Sequence, residues 1–140
     1  VDGHVRASGV VSLRAQANAG FEPNEFGVSH WAAGALYGRI RVLSPLYIAL
    51  RGDVFYENVA SSAAGSASPI FWPAPWVSSG TATVDYRPRE RVSFRFEYRH
   101  DQAGSDMYFG GTVPGDGIAA PYTANRKSQD TLTAGATTWF

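Results

Sequence analysis

Charged side chains spaced two residues apart recur in several short groups along this 140-residue chain, and their spacing suggests the chemistry they could do. The densest example is RFEYRHD, in which Arg95, Glu97, Arg99 and Asp101 alternate with other residues. A period of two places such residues on one face of a β-strand. Rows of arginine attract anions, whereas arginine and carboxylate groups on neighbouring strands also pair and stiffen a wall. The sequence leaves both interpretations open.

Residues suited to catalysis or metal binding are sparse. The chain has no Cys and three scattered His residues, which argues against a metal site or thiol chemistry. His100 and Asp101 are adjacent, so in a strand their side chains point to opposite faces. A hydrolase that uses His100, Asp101 and Asp106 stays a minor alternative. Asp101, Asp106 and Asp116 could also bind Ca²⁺, although a solvated loop without a metal ion is the more common explanation of such residues. We expect no enzyme activity, no cofactor and no metal.

The elements that would position the charged residues are long strands in one domain over residues 1–140. Alternation predicts six strands and no helix, at about residues 1–18, 26–42, 46–57, 76–87, 92–99 and 131–140. Strands in soluble sheets usually run about five or six residues. The first predicted strand keeps its alternation for 18 residues, so the pattern favours a membrane-spanning sheet.

The connections between these strands differ strongly in length. Turns at Pro45 and Pro88 are short, whereas residues 57–75 and 102–127 form long loops. Short turns at one edge and long loops at the other are typical of outer-membrane β-barrels. The aromatic run PIFWPAPW, residues 69–76, either folds inward as a constriction or extends a band of aromatic residues at the membrane surface.

One face of the predicted strands carries almost all the Arg, Asp and Glu, and the other carries Val, Leu, Ile, Phe and Ala. In a soluble sandwich the apolar faces would meet in a core, whereas in a barrel they contact the lipid bilayer and the charged face lines the lumen. The apolar face is rich in Gly and Ala and has aromatic residues near the strand ends, and both features favour the barrel. Lys plus Arg equals Asp plus Glu at 12 each, which gives no electrostatic reason to expect nucleic acid binding. The predicted aromatic girdle comprises Phe26, Tyr56, Trp76, Tyr86 and Tyr98. The predicted pore-lining residues are Arg6, Arg14, Arg39, Arg41, Arg51, Asp53, Asp85, Arg95, Glu97 and Arg99.

The last strand adds a resemblance to a known class. Its alternating apolar residues, with Ala136, Thr138 and the terminal Phe140, resemble the C-terminal signature of Gram-negative outer-membrane β-barrels. That resemblance implies location in the outer membrane and recognition of these three residues by the barrel-assembly machinery. More narrowly, SGTATVDYRPRERVSFRFEYRHDQAGSDMYF followed by KSQDTLTAGATTWF is similar to the last strands of β-barrel porin families with an R-x-E-Y-R-x-D hairpin. YIALRGDVFYEN is similar to the hairpin before it, and the likeness covers roughly the last hundred residues.

Six strands are too few for the barrel that this resemblance implies. Eight strands enclose an interior just wide enough for side chains, so six cannot hold the inward arginines and aromatic residues. We therefore expect the barrel to be closed by missing strands or by a second chain, as a homo-oligomer. The expected function is passive diffusion of small polar solutes or ions through a water-filled lumen, with a weak anion preference. The alternative is a structural or interaction barrel with a plugged lumen, acting through its long loops or partner chains.

Overall fold

The computed structural model describes the backbone of residues 2–6 and both backbone and side chains of residues 10–140. The chain is all-β, as predicted. Its strands are β1 Asp2–Arg6, β2 Val11–Asn24, β3 Gly27–Leu43, β4 Leu46–Asn58, β5 Ser61–Ser62, β6 Gly65–Ser66, β7 Trp76–Arg89, β8 Val92–Ala103 and β9 Ser128–Thr138. The described residues contain no helix long and apolar enough to cross a membrane.

Seven strands form one antiparallel sheet in the order β1-β2-β3-β4-β7-β8-β9, and β5 and β6 form a small hairpin between β4 and β7. Each strand of the main sheet pairs with the one before it along the sheet, which is an up-and-down arrangement. Six of the seven strands are 11 to 17 residues long. Each of these strands is therefore long enough to cross a bilayer core, which takes roughly 9–11 residues. Among the described residues β1 and β9 each pair on one side only, so the sheet is not closed.

The N-terminal segment corrects one expectation. The continuous strand predicted over residues 1–18 is wrong, because β1 pairs antiparallel with β2 from Asp2 opposite Gln16 to Arg6 opposite Ser12. The chain therefore reverses direction between β1 and β2. Paired residues in this hairpin differ by even numbers, so residues of the same parity share a face. A hairpin of this kind has the same sequence pattern as one long strand.

The short connections follow from local backbone preferences. Gly27 has a left-handed φ of 134° after the two-residue turn between β2 and β3, where Asn24 Oδ1 accepts a hydrogen bond from the Phe26 backbone N–H at 3.0 Å. Pro88 lies where the β7–β8 register shifts between Tyr86 and Arg89. Proline lacks the N–H that a regular ladder requires, so the shift is expected there. Both long loops lie at the end of the sheet opposite the β7–β8 turn.

Candidate functional site

In the main sheet the apolar side chains are exposed and several charged side chains are buried, which is the reverse of a soluble protein. We call one face of the sheet the apolar face: even-numbered residues of β3, β4 and β7–β9, with odd-numbered residues of β2. The other is the polar face. On the apolar face Leu36 is 69% exposed and Phe96 53%, whereas on the polar face Glu57 and Asp101 are 2% and 3% exposed. An apolar surface of this extent requires an apolar medium or a partner.

Three arginines of the polar face lie in one register row across the sheet. Arg14 of β2 is opposite Tyr37 of β3, which is opposite Arg51 of β4. The row continues through Thr81 of β7 to Arg99 of β8. We call this the arginine row. Guanidinium groups at one level of a wall favour ions of the opposite sign at that level.

Two carboxylates lie one step closer to the long loops than this row. Arg51 Nε is 2.8 Å from Asp53 Oδ2, which has no hydrogen-bond partner among the described residues, so the contact is an ion pair without hydrogen-bond alignment. Arg99 Nε donates to Asp101 Oδ1 at 2.7 Å, and Gln129 Nε2 donates to Asp101 Oδ2 at 3.1 Å. These ion pairs run along single strands rather than between neighbours. Positive and negative levels therefore alternate along the polar face.

A second charged cluster surrounds Asp85 of β7, which is 5% exposed. Its Oδ2 accepts hydrogen bonds from Arg87 Nε at 3.0 Å and Nη2 at 2.8 Å, and its Oδ1 accepts one from Ser93 Oγ at 2.7 Å. Arg39 Nη2 and Arg95 Nε lie 3.7 and 3.8 Å from the same Oδ2. We call this group the Asp85 cluster. One carboxylate thus lies within 4 Å of three guanidinium groups.

Tyrosine rings fix the orientation of several of these arginines. The Arg39 guanidinium lies 4.1 Å from the centre of the Tyr47 ring, and that of Arg87 lies 5.4 Å from it. Arg51 lies 5.1 Å from the centre of the Tyr37 ring. Such cation–π contacts contribute about 0.5–1 kcal/mol at exposed sites. They hold the guanidinium plane, whereas the edge N–H groups that do not contact a carboxylate stay available to a ligand.

The polar face forms a groove of about 530 Å³. It is lined by Ser12, Leu13, Arg14, Tyr37, Gly38, Arg39, Ala49, Leu50, Arg51, Thr81, Thr83, Glu97 and Arg99. Four of these residues are arginines and one is acidic, and that carboxylate, Glu97, accepts a hydrogen bond from Thr83 Oγ1 at 2.8 Å. The groove is therefore a positively charged surface.

The predicted pore-lining residues share one face of the sheet. Those that the structure describes with side chains all belong to the polar face: Arg14, Arg39, Arg41, Arg51, Asp53, Asp85, Arg95, Glu97 and Arg99. The side chain of Arg6 lies outside the described residues. The three residues of the arginine row and the Asp85 cluster are brought together from strands far apart in sequence.

The loop between β4 and β7 folds over the polar face. Phe71 packs edge-on against Trp31 and Phe55, with ring centres 5.2 and 5.6 Å apart. The Glu57 carboxylate accepts hydrogen bonds from the backbone N–H groups of Phe71 and its preceding neighbour. We call the three rings the aromatic shelf. Trp76, the last residue of the same aromatic run, lies instead on the apolar face, so the run divides between the two expected locations.

The predicted girdle residues lie mostly on the apolar face. Tyr56 and Trp76 form a register pair next to the long loops, and Tyr86 lies at the opposite end of β7. Tyr98 lies near the middle of β8, opposite Ala82. Phe26 is in the β2–β3 turn, and its ring is near Gly65, where an added Cβ would be 3.2 Å from Phe26 Cε1. It therefore packs under the small hairpin of the long loop.

The predicted assembly residues lie at the end of the sheet near the short turns. Ala136 is opposite Phe94 and Thr138 is opposite Val92, whereas Phe140 follows the end of β9 and is exposed. Ala136, Thr138 and Phe140 share the parity of the apolar face. The strand thus carries its apolar pattern to its end.

The structure separates the residues of the alternative catalytic and calcium sites. His100 Nδ1 is 2.8 Å from Asp130 Oδ1 on the apolar face, whereas Asp101 is on the polar face. Asp116 Oδ1 accepts hydrogen bonds from the backbone N–H groups of residues 118–120, and these lower the pKa of its carboxyl. No group of three or more His, Cys, Asp or Glu among residues 10–140 is arranged to hold a metal ion.

Comparison with known families agrees with this inverted sheet. The family described as "Putative beta-barrel porin-2, OmpL-like" matches residues 8–140. The chain belongs to this family. No curated protein and no solved structure matches the chain. Membership identifies the sheet as wall of a porin-like β-barrel and supports a porin-like role in general terms.

Barrel walls have tilted strands, and the aromatic residues of this porin-family sheet follow such a tilt. On the apolar face Phe21 is level with Asn58, two residues beyond Tyr56, and Tyr56 is level with Trp76. Tyr98 is level with Ala82, six residues closer to the short turns than Trp76. From Phe21 on β2 to Tyr98 on β8, the aromatic positions therefore shift by eight residues towards the β7–β8 turn over four strand-to-strand steps. A horizontal membrane surface crossing strands tilted by about 45° produces an oblique line of this kind.

Sequence reasoning missed two parts of this wall. It did not group Arg87 and Ser93 with Asp85, although the spacing of Asp85 and Arg87 places both on one face beside a turn. It also did not predict that Phe71 packs on the polar face, because a loop residue carries no strand parity. The sequence spacing could have indicated the grouping with Asp85, whereas nothing in the sequence indicated the position of Phe71.

Proposed function

We propose that this chain forms part of the wall of a water-filled channel through which small polar solutes and ions diffuse passively, with a weak preference for anions. The observation that carries this proposal is the groove of the polar face, whose lining contains four arginines and one glutamate. Because guanidinium groups attract anions and repel cations at the same level, the preference follows from charge alone.

Transport through such a channel requires no covalent step. The lumen and the aromatic shelf would limit solutes by size, whereas the arginine row would set the charge preference. Asp53 and Asp101 lie close to two of the arginines, so the field is reduced rather than strongly positive. That partial compensation is the reason for a weak preference.

The preference is tested by the reversal potential across a planar bilayer with a KCl gradient. Arg51→Glu with Arg99→Glu should move the reversal potential towards cation selectivity, because the arginine row changes sign. Arg91→Glu in the β7–β8 turn is the matched control and should change it little. An unchanged reversal potential in the double variant would remove the arginine row from the proposed conduction path.

We also propose that further strands close the barrel, supplied by a second copy of this chain or by additional strands. Unpaired backbone groups at a sheet edge cost several kcal/mol each in lipid. Among the described residues both edge strands pair on one side only. Native mass spectrometry of particles released from detergent distinguishes a homo-oligomer from a monomer, and a stable monomer that conducts ions would contradict closure by a second copy.

The proposed location is the Gram-negative outer membrane, with insertion by the barrel-assembly machinery. The support is the family membership together with the alternating apolar residues of β9. Separation of inner and outer membranes by density should place the chain in the outer-membrane fraction. Phe140→Ala should reduce the inserted fraction, and equal insertion of both forms would remove Phe140 from the proposed signal.

A plugged barrel is a second candidate because the loops fold over the polar face. Phe71 packs on the aromatic shelf, and Ser105 Oγ of the other long loop donates a hydrogen bond to the Pro73 carbonyl at 2.8 Å. A plugged barrel would interact through its loops or partner chains and would give no stepwise conductance. Discrete current steps in a planar bilayer therefore decide between the two candidates.

A further inference from the structure

We propose that the Asp85 cluster contains a binding site for a small oxyanion, a carboxylate or phosphate group, held between Arg39 and Arg95. This inference deepens the proposed channel function by naming the solute chemistry that the polar face takes up. It rests on the hydrogen bonding of one buried carboxylate and on the two guanidinium groups that this carboxylate does not satisfy.

Asp85 has already committed both of its oxygens. Arg87 binds Oδ2 through Nε and Nη2 at 3.0 and 2.8 Å, and Ser93 Oγ donates to Oδ1 at 2.7 Å. Arg39 and Arg95 approach Oδ2 at 3.7 and 3.8 Å, beyond hydrogen-bond distance. Asp85 attracts these two arginines without satisfying their N–H groups.

Arg39 lines the groove of the polar face, and both Arg39 and Arg95 are exposed to a solute. Their side chains are 40% and 59% exposed, compared with 7% for Asp85. Among the described residues, Asp85 is the one carboxylate within 4 Å of either guanidinium. Three cations around one anion leave a cluster with excess positive charge, which is the condition for binding a second anion.

The separation of the two guanidinium groups suits one oxyanion. Their nitrogens lie 3.7 and 3.8 Å from a common oxygen, so they are at most 7.5 Å apart. A carboxylate or phosphate has oxygens about 2.3–2.5 Å apart, and charge-assisted N–H···O contacts are about 2.8 Å long. An oxyanion therefore bridges the two arginines with one oxygen to each.

Tyr47 helps to prepare this site. The Arg39 guanidinium is stacked 4.1 Å from the centre of the Tyr47 ring, which fixes its plane before any ligand arrives. A pre-oriented donor loses less conformational freedom on binding than a mobile one. The site thus differs from the arginine row, where Arg51 and Arg99 each have a carboxylate within 2.8 Å.

The test is a titration of the full chain, folded in detergent, with inorganic phosphate followed by ³¹P NMR. We expect Arg39→Gln and Arg95→Gln each to weaken phosphate binding by roughly tenfold, the effect of losing one charge-assisted contact. Arg91→Gln is the matched control and should bind as the unaltered chain does. Asp85→Asn should act in the opposite direction and tighten binding, because it removes the competing negative charge and keeps a polar partner for Ser93.

The outcomes separate this site from the channel itself. Equal phosphate binding by the unaltered chain and by the double variant Arg39→Gln/Arg95→Gln overturns the site, even where chloride conductance persists. Weaker binding in Asp85→Asn also overturns it, because arginines held only for structure would lose order and gain no affinity. Phosphate binding that depends on Arg39 and Arg95 in a chain without conductance supports the site and contradicts the channel.

Discussion

The apolar and polar faces of one sheet are built from the same strands, yet different interactions determine their structure. On the apolar face Leu36 and Phe96 are more than half exposed and depend on the surrounding medium. On the polar face Asp85 and Asp101 are almost fully buried; three arginines surround Asp85, and Arg99 pairs with Asp101. Alternation along each strand separates the two environments by one residue. The sheet therefore needs an apolar medium or a partner on one side and polar surroundings on the other.

The largest expected effect comes from placing a charge on the apolar face. Ala134 and Thr133 are adjacent exposed residues of β9 on opposite faces, opposite Phe96 and Glu97. Ala134→Arg should lower the free energy of unfolding by about 2–4 kcal/mol, the cost of a charge near the bilayer centre. Thr133→Arg gains a neighbouring carboxylate and should stay within about 0.5 kcal/mol of the original.

The two variants are compared by urea unfolding in lipid vesicles, so that only the face differs between them. Equal destabilisation would mean that both faces meet the same medium. Destabilisation by Thr133→Arg alone would reverse the assignment of the faces.

A smaller loss is expected when the polar face loses its central carboxylate. Asp85→Ala removes two hydrogen bonds from Arg87 and one from Ser93. Removing one partner of a buried ion pair costs about 3–5 kcal/mol, but Arg87 is 32% exposed and water compensates part of the loss. We expect about 1–3 kcal/mol from the same unfolding measurement.

Arg91→Ala is the control for this prediction because Arg91 lies in the β7–β8 turn outside the cluster. A variant Asp85→Ala as stable as that control would mean that the Asp85 cluster does not hold β7 to β8.

The sequence predicted these faces because parity in a strand depends on local geometry alone. It predicted Tyr56, Trp76, Tyr86 and Tyr98 on one face for the same reason. It did not reveal that β1 and β2 are separate strands, because their antiparallel pairing joins residues of the same parity and leaves the pattern unchanged. It also did not reveal the oblique aromatic line or the arginine row, because both depend on the register between strands. Contacts between loop and wall, such as that of Phe71, depend on tertiary packing that no strand period encodes.

The aromatic shelf is an apolar island on the polar face, and its removal tests what the loop contributes. Phe71→Ala deletes two edge-on ring contacts, with Trp31 and Phe55. Aromatic pairs contribute about 0.5–1.5 kcal/mol each, and Phe71 is 54% exposed, so we expect a loss of about 1 kcal/mol. If the shelf narrows the channel, single-channel conductance should rise.

Trp72→Ala is the matched control, because Trp72 is the neighbouring aromatic residue and has no ring contact with Trp31 or Phe55 among the described pairs. A Phe71→Ala channel with unaltered conductance would place the narrowest point away from the shelf.

The smallest effect is expected where the apolar face ends. Asp130 accepts one hydrogen bond from Tyr98 and contacts His100 on that face, level with Gly80 of β7. A carboxylate facing lipid contradicts the division between faces unless it lies at headgroup height. The oblique aromatic line through Trp76 and Tyr98 places it there, because Asp130 is just beyond Tyr98 towards the loops.

Two opposite substitutions on β9 test that boundary. Asp130→Leu should leave the urea midpoint in vesicles unchanged, because headgroups and water already solvate the carboxylate. Leu132→Asp, two residues further into the apolar band, should destabilise by up to about 1 kcal/mol, the range for charges near the membrane surface. Stabilisation by Asp130→Leu would mean that the carboxylate lies within the hydrocarbon, and the strands would then be less tilted than the aromatic line indicates. The pair of substitutions thus measures where on one strand the apolar face stops, which tests the tilt that the aromatic line indicates.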